Sequence, residues 1–167
     1  MTRWRIVALV AVAGLIAPAG CGGGSSSPAK ARYVAQANAI CKAASARMGP
    51  LIDDVTAGAA SVTSGAAGAT GRLASNLGAL QRVASDYLAK LEGLKQPSGD
   101  RAAIERFLTP FARIVDSLQS ATAAVGAGRM PQALALLERS APVAQAASTG
   151  AQAYGLDQCA SVVPSLG

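Results

Sequence analysis

Histidine is absent from this 167-residue chain. That removes the Ser–His and Cys–His nucleophile systems and every zinc site built on imidazole. Aromatic residues are scarce, at 4%, and β-branched runs are short. A sheet sandwich, which fills its inner faces with Val, Ile, Tyr and Phe, is therefore disfavoured. Acidic residues number nine, and Asp53-Asp54 is their one doublet. Adjacent positions on a helix point about 100° apart, so this doublet reads as a solvated face and not as a metal or catalytic pair. Basic residues come singly, at Lys42, Arg47, Arg72, Arg82, Arg113 and Arg129. No run of them builds a nucleic-acid patch. No apolar stretch approaches the roughly 20 residues of a membrane-spanning helix.

The apolar content is 51%, much of it alanine, which favours helices packed closely through small side chains. The length suits one domain with a real core. The N-terminus has its own grammar. "MTRWR" carries positive charge, residues 6–17 form an apolar core, and small residues follow up to Cys21. This is the three-part pattern of a secretory signal. Without Arg3 and Arg5 the remainder has 13 basic against 9 acidic residues, a formal charge of +4. "GGGSSSP" then reads as a flexible polar tether.

Residues 18–21 admit two processing routes. Ala19-Gly20-Cys21 resembles the end of a bacterial lipoprotein signal, with Pro18 where an aliphatic residue is usual. This resemblance implies lipid on Cys21, and with it a membrane anchor on the outer, extracytoplasmic face of the cell. Ala17-Pro18-Ala19 also offers an ordinary A-x-A cleavage site, which would release a secreted protein. Three cysteines are an odd number for an exported chain; lipid on Cys21 leaves Cys41 and Cys159 to pair.

Beyond the tether, apolar residues recur at helical spacing in four blocks. Tyr33, Val34, Ala37, Ile40, Cys41, Ala44 and Met48 mark the first, which Gly49-Pro50 is expected to interrupt. "TSGAAGATG" is a breaker-rich connection; it lacks the Gly-Lys-Ser/Thr ending and preceding strand of a phosphate loop. Leu73, Leu77, Leu80, Ala84, Tyr87, Leu91 and Leu94 step alternately by four and three, a heptad seam. Ile104, Phe107, Leu108, Phe111, Ile114, Val115, Leu118 and Val125 form the third stripe, with Pro110 a kink or break inside it. Ser98 or Asp100 can cap its start. Ala133, Leu134, Leu137, Ala141, Ala144, Ala147, Ala151 and Tyr154 form the fourth, with Pro142 a second kink, and "LDQCASVVPSLG" trails it. The expectation is an all-α, up-down four-helix bundle. Residues 1–20 are assigned to the signal peptide, 21–29 to the tether, 30–160 to the bundle and 161–167 to a C-terminal tail. Such a bundle returns its C-terminus to the end where it began, so Cys41 and Cys159 are expected to form a disulfide; two buried, unpaired cysteines are the alternative.

"YVAQANAICKAASARM", "GLKQPSGD" and "AYGLDQC" resemble segments of a group of small, uncharacterised exported lipoproteins of high-GC Gram-positive bacteria. The resemblance covers most of the chain after the tether and implies a helical fold with one disulfide. It carries no activity.

No catalytic, cofactor-binding or metal-ligating set emerges. Ser27-Pro28-Ala29-Lys30 matches S-x-x-K, but it lies in the tether and lacks its partner motifs. Tyr33, Tyr87 and Tyr154 keep core register. The expectation is a non-enzymatic module at the cell envelope, binding an envelope protein or a small apolar ligand and no nucleic acid. Two other readings stand beside it. One is an extracytoplasmic enzyme using converging carboxylates such as Asp86, Glu105 and Asp116. The other is helix–helix assembly through the Leu73–Leu94 seam.

Overall fold

The computed structural model describes residues 27–162. The signal, Cys21 and most of the tether lie outside this range. Every element within it is helical: α1 Pro28–Thr63, α2 Ala69–Glu92, α3 Arg101–Gly126, α4 Met130–Tyr154 and α5 Asp157–Val162.

Helix α1 starts inside the stretch read as tether. Pro28 fits the first turn, where its missing N–H costs nothing, and the Ser27 hydroxyl accepts the Lys30 N–H at 3.2 Å. The Ser-x-x-Lys pattern is thus a helix cap. Tyr33, Ala37, Cys41, Ala44 and Met48 form its buried stripe. The expected interruption at Gly49-Pro50 does not occur; α1 runs through Pro50 for 36 residues. Pro50 cannot donate to the Ala46 carbonyl, but both residues are exposed, so water can take up that acceptor. Pro110 and Pro142 likewise sit within unbroken helices.

The connections carry the glycines that the chain reversals need. Gly65 and Gly68 between α1 and α2 adopt φ of 73° and 69°, a region that costs a side chain dearly. Short turns make successive helices antiparallel neighbours. Late α1 meets early α2, where Asn76 donates to the Asp54 carbonyl. Late α4 meets early α3, where Gly150 lies against Arg106. The heptad positions Leu73, Leu77, Leu80, Ala84, Tyr87 and Leu91 are all buried within the chain. These positions lie in the internal core, while Leu94, the last of the seam, is half-buried. Leu134, read as inward, is 50% exposed; the inward stripe of α4 runs through Ala133, Ser140, Ala144 and Ala147, and residue 134 sits one step round the helix from it.

The bundle closes in an unexpected way. Helix α1 packs on α2, α2 on α3 and α3 on α4, but no Cα pair between α1 and α4 comes within 8 Å. The short α5 packs against both and fills the gap. Residues 157–162, read as the end of the bundle and a tail, are therefore a fifth helix wedged between the first and last long ones. Leu156 and Cys159 are fully buried there. Asp157 favours the first turn of α5 through the helix dipole. Asn38 on α1 supplies the cap that α5 lacks locally: its Oδ1 accepts the Gln158 N–H at 3.0 Å, while its Nδ2 donates to the Gly155 carbonyl at 3.2 Å. The Ser148 hydroxyl donates to the Ala160 carbonyl from the α4 side. Cys41 and Cys159 form a disulfide between α1 and α5, as expected from the chain reversal.

Candidate functional site

An apolar cavity of about 130 Å³ lies within the bundle, at the level of Met48 and Ile52 on α1 and Val162 on α5. Every helix contributes to its wall, including Met48 and Ile52 from α1, Ala84 from α2, Phe111 from α3, Ser140 from α4 and Val162 from α5. Ala84 and Ser140 contribute small side chains to this wall. The two hydroxyls in the lining are already satisfied. Ser140 donates to the Leu137 carbonyl at 2.6 Å and Thr56 to the Ile52 carbonyl at 2.9 Å. The wall therefore offers little that would hold a water, which wants two to four polar partners, and suits apolar contents.

A second constellation lies at the end of the bundle where α1 begins. Tyr33 and Tyr154 meet edge to face with ring centroids 5.9 Å apart. The Lys30 ammonium stands 4.5 Å above the Tyr154 ring. The Tyr154 hydroxyl donates to Asp100 Oδ2 at 2.6 Å. Burial, and then this hydrogen bond to a carboxylate, push the Tyr154 phenol well above its ordinary range. Asp100 occupies the N-cap position of α3 but makes no side-chain cap bond; its carboxylate accepts from α4 instead. Burial also raises the Tyr33 phenol. The Tyr33 hydroxyl is the one buried side-chain polar atom without a hydrogen-bond partner among the described residues.

The carboxylates named as an enzymatic alternative are not brought together. Asp86 pairs with Lys90 at 2.8 Å and Glu105 with Arg101 at 3.6 Å, both along exposed helix surface. Asp116 is exposed on α3, and Asp53 and Asp54 are exposed on α1. Among the described residues no three Cys, Asp or Glu side chains cluster as metal ligands would, and no helix is long and apolar enough to cross a membrane. Tyr87 stands apart from the other two tyrosines, with Lys90 4.8 Å and Arg47 6.0 Å from its ring. A scan against protein-family models, a search of the curated proteins and a search of the solved structures each found no match.

Proposed function

We propose that this chain is a non-enzymatic binding module of the cell envelope, held at the outer face of the membrane by lipid on Cys21, and that its central cavity takes a small apolar ligand. The observation that carries the binding role is the cavity itself: about 130 Å³, bounded by apolar side chains, with both lining hydroxyls bonded within their own helices. A dry apolar space of this order accepts a molecule the size of benzene or a xenon atom. The anchor rests on the signal-like leader, the cysteine at its end and the Gly/Ser stretch after it. The Cys41–Cys159 bond supports export, since such bonds persist in oxidising compartments, and it leaves Cys21 as the remaining thiol.

Two measurements test the two halves separately. Intact mass and detergent partitioning of the native protein should show a diacylglycerol adduct on Cys21; a mature chain beginning at Gly20 would replace the anchored form by a secreted one. Titration with benzene or xenon, followed by NMR shifts of the Met48 and Ile52 methyl groups, should saturate. Ala84→Leu, which fills the cavity, should abolish the response. Unchanged methyl shifts in the parent chain would remove the ligand from the proposal.

A further inference from the structure

Successive residues of α5 meet successively later residues of α1. The Gln158 N–H is bonded to Asn38, Cys159 is joined to Cys41, and Val162 shares the wall of the central cavity with Met48 and Ile52. Against α4 the order is reversed: Ala160 meets Ser148, and Val162 shares that wall with Ser140. Helix α5 therefore advances toward the second half of α1 and the first half of α4. Further along that course stand Val55 and Thr56 on α1 and Leu137 on α4, all of them lining the same cavity. Thr56 is exposed, so this part of the wall reaches solvent.

The sequence continues from Val162 with Val163, Pro164, Ser165, Leu166 and Gly167, which fall outside the described residues. From Val162 to Leu166 a chain spans up to roughly 13 Å. The step from Met48 to Thr56 along α1 is about 12 Å at a rise of about 1.5 Å per residue, so Leu166 can reach any level of that wall. No residue from 158 to 167 is charged, and no ionic group has to leave water for the segment to lie on an apolar surface. The leucine side chain is smaller than benzene, which a dry apolar space of this order accepts. The solvent-facing edge at Thr56 lets one side chain enter while the backbone groups that carry it stay hydrated.

We propose that residues 163–167 continue the course of α5 and seat Leu166 in the central cavity, so that an apolar ligand enters by displacing that side chain. The displacement rests on the cavity being a ligand site; the seat of Leu166 does not. The test is methyl NOE spectroscopy of the full chain, with the benzene titration repeated on two variants. Cross-peaks should join the Leu166 methyls to those of Ile52 or Val55. Leu166→Ser should bind benzene about fivefold more tightly than the parent, the gain for a side chain that occupies the cavity in about four molecules of five. Leu166→Met, which keeps an apolar side chain of similar volume, should keep the parental affinity. Absence of the cross-peaks overturns the proposal whether or not benzene binds. Cross-peaks without benzene binding to any variant uphold the seat of Leu166 and remove the ligand reading alone. Equal benzene affinity in the parent and Leu166→Ser overturns the displacement. Cross-peaks seen only between differently labelled copies in a mixed sample overturn the proposal in favour of a second copy of the chain.

Discussion

Gly150 on α4 lies against the backbone of Arg106 on α3, so closely that a Cβ at position 150 would fall 2.5 Å from the Arg106 carbonyl oxygen and 2.8 Å from its carbon. Arg106 is four residues before Pro110. It therefore owns the carbonyl that loses its helical donor to the proline ring. The proline frees an acceptor, and the glycine lets the neighbouring helix approach it, where a Cα–H contact can partly compensate. Gly150→Ala should force the α3–α4 backbones apart and destabilise the fold by about 1–3 kcal/mol. Gly71→Ala is the matched control: nothing lies within 4 Å of its added Cβ in α2, and the change should stabilise by roughly 0.5–1 kcal/mol. Urea unfolding of both variants at one pH decides the comparison.

The disulfide closes a sequence separation of 118 residues. Its removal by a Cys41→Ser, Cys159→Ser double change should lower stability on the order of 4–5 kcal/mol by chain entropy. Both sulfur-bearing residues are buried, at 3% and 0% exposure, so reductant should act mainly through opened molecules. Melting should shift downward in dithiothreitol for the parent chain and stay unchanged for the double variant. Equal melting of the parent in both conditions would show that the bond contributes nothing to the fold.

Asn38 joins α1 to the start of α5 through both ends of its amide. Asn38→Ala should cost about 1–2 kcal/mol, the worth of a helix cap. The loss should be local as well as global. Amide exchange at Cys159 and Ala160 should accelerate more than exchange in the middle of α3.

Both phenols of the tyrosine pair have folded-state pKa values raised above the unfolded value near 10. Above about pH 10 the unfolded chain releases these protons while the folded chain holds them, so the unfolded state binds fewer protons and stability falls as pH rises. Below the unfolded pKa the contribution is fully present. Denaturation midpoints measured from pH 8 to 11.5 should fall steeply in the upper part of that range. A Tyr33→Phe, Tyr154→Phe double variant should show a shallower decline, and an identical slope would remove the pair as its cause.

Much of the bundle is legible in the sequence, for a simple reason. Leu73 through Leu91 keep strict register, and register depends only on the 3.6-residue turn. The Cys41–Cys159 pair follows from an odd cysteine count and from the three chain reversals of four antiparallel helices, which bring the last helix back to the end where the first begins. The failures have equally specific causes. Continuity through Gly49-Pro50 depends on Ala46 being solvent-exposed, which no local pattern reports. Asp100 has the chemistry of a cap, but Tyr154, 54 residues away, takes its carboxylate. Helix α5 is too short for a periodic signal and borrows its cap from Asn38. The cavity leaves no mark in the sequence, because it depends on how far apart α1 and α4 lie.

The bond between α1 and α5 also determines how the molecule would bear a load. A pull entering at Ser27 and leaving beyond Val162 reaches Cys41 after only the first third of α1, then crosses directly to Cys159. The covalent shortcut shields α2, α3, α4 and the walls of the central cavity from that tension. Of the described residues, only 27–41 and 159–162 can be drawn out, so stretching by the ends should show a short extension and then a stiff limit. In dithiothreitol, once the bond is open, the same pull should release the whole bundle.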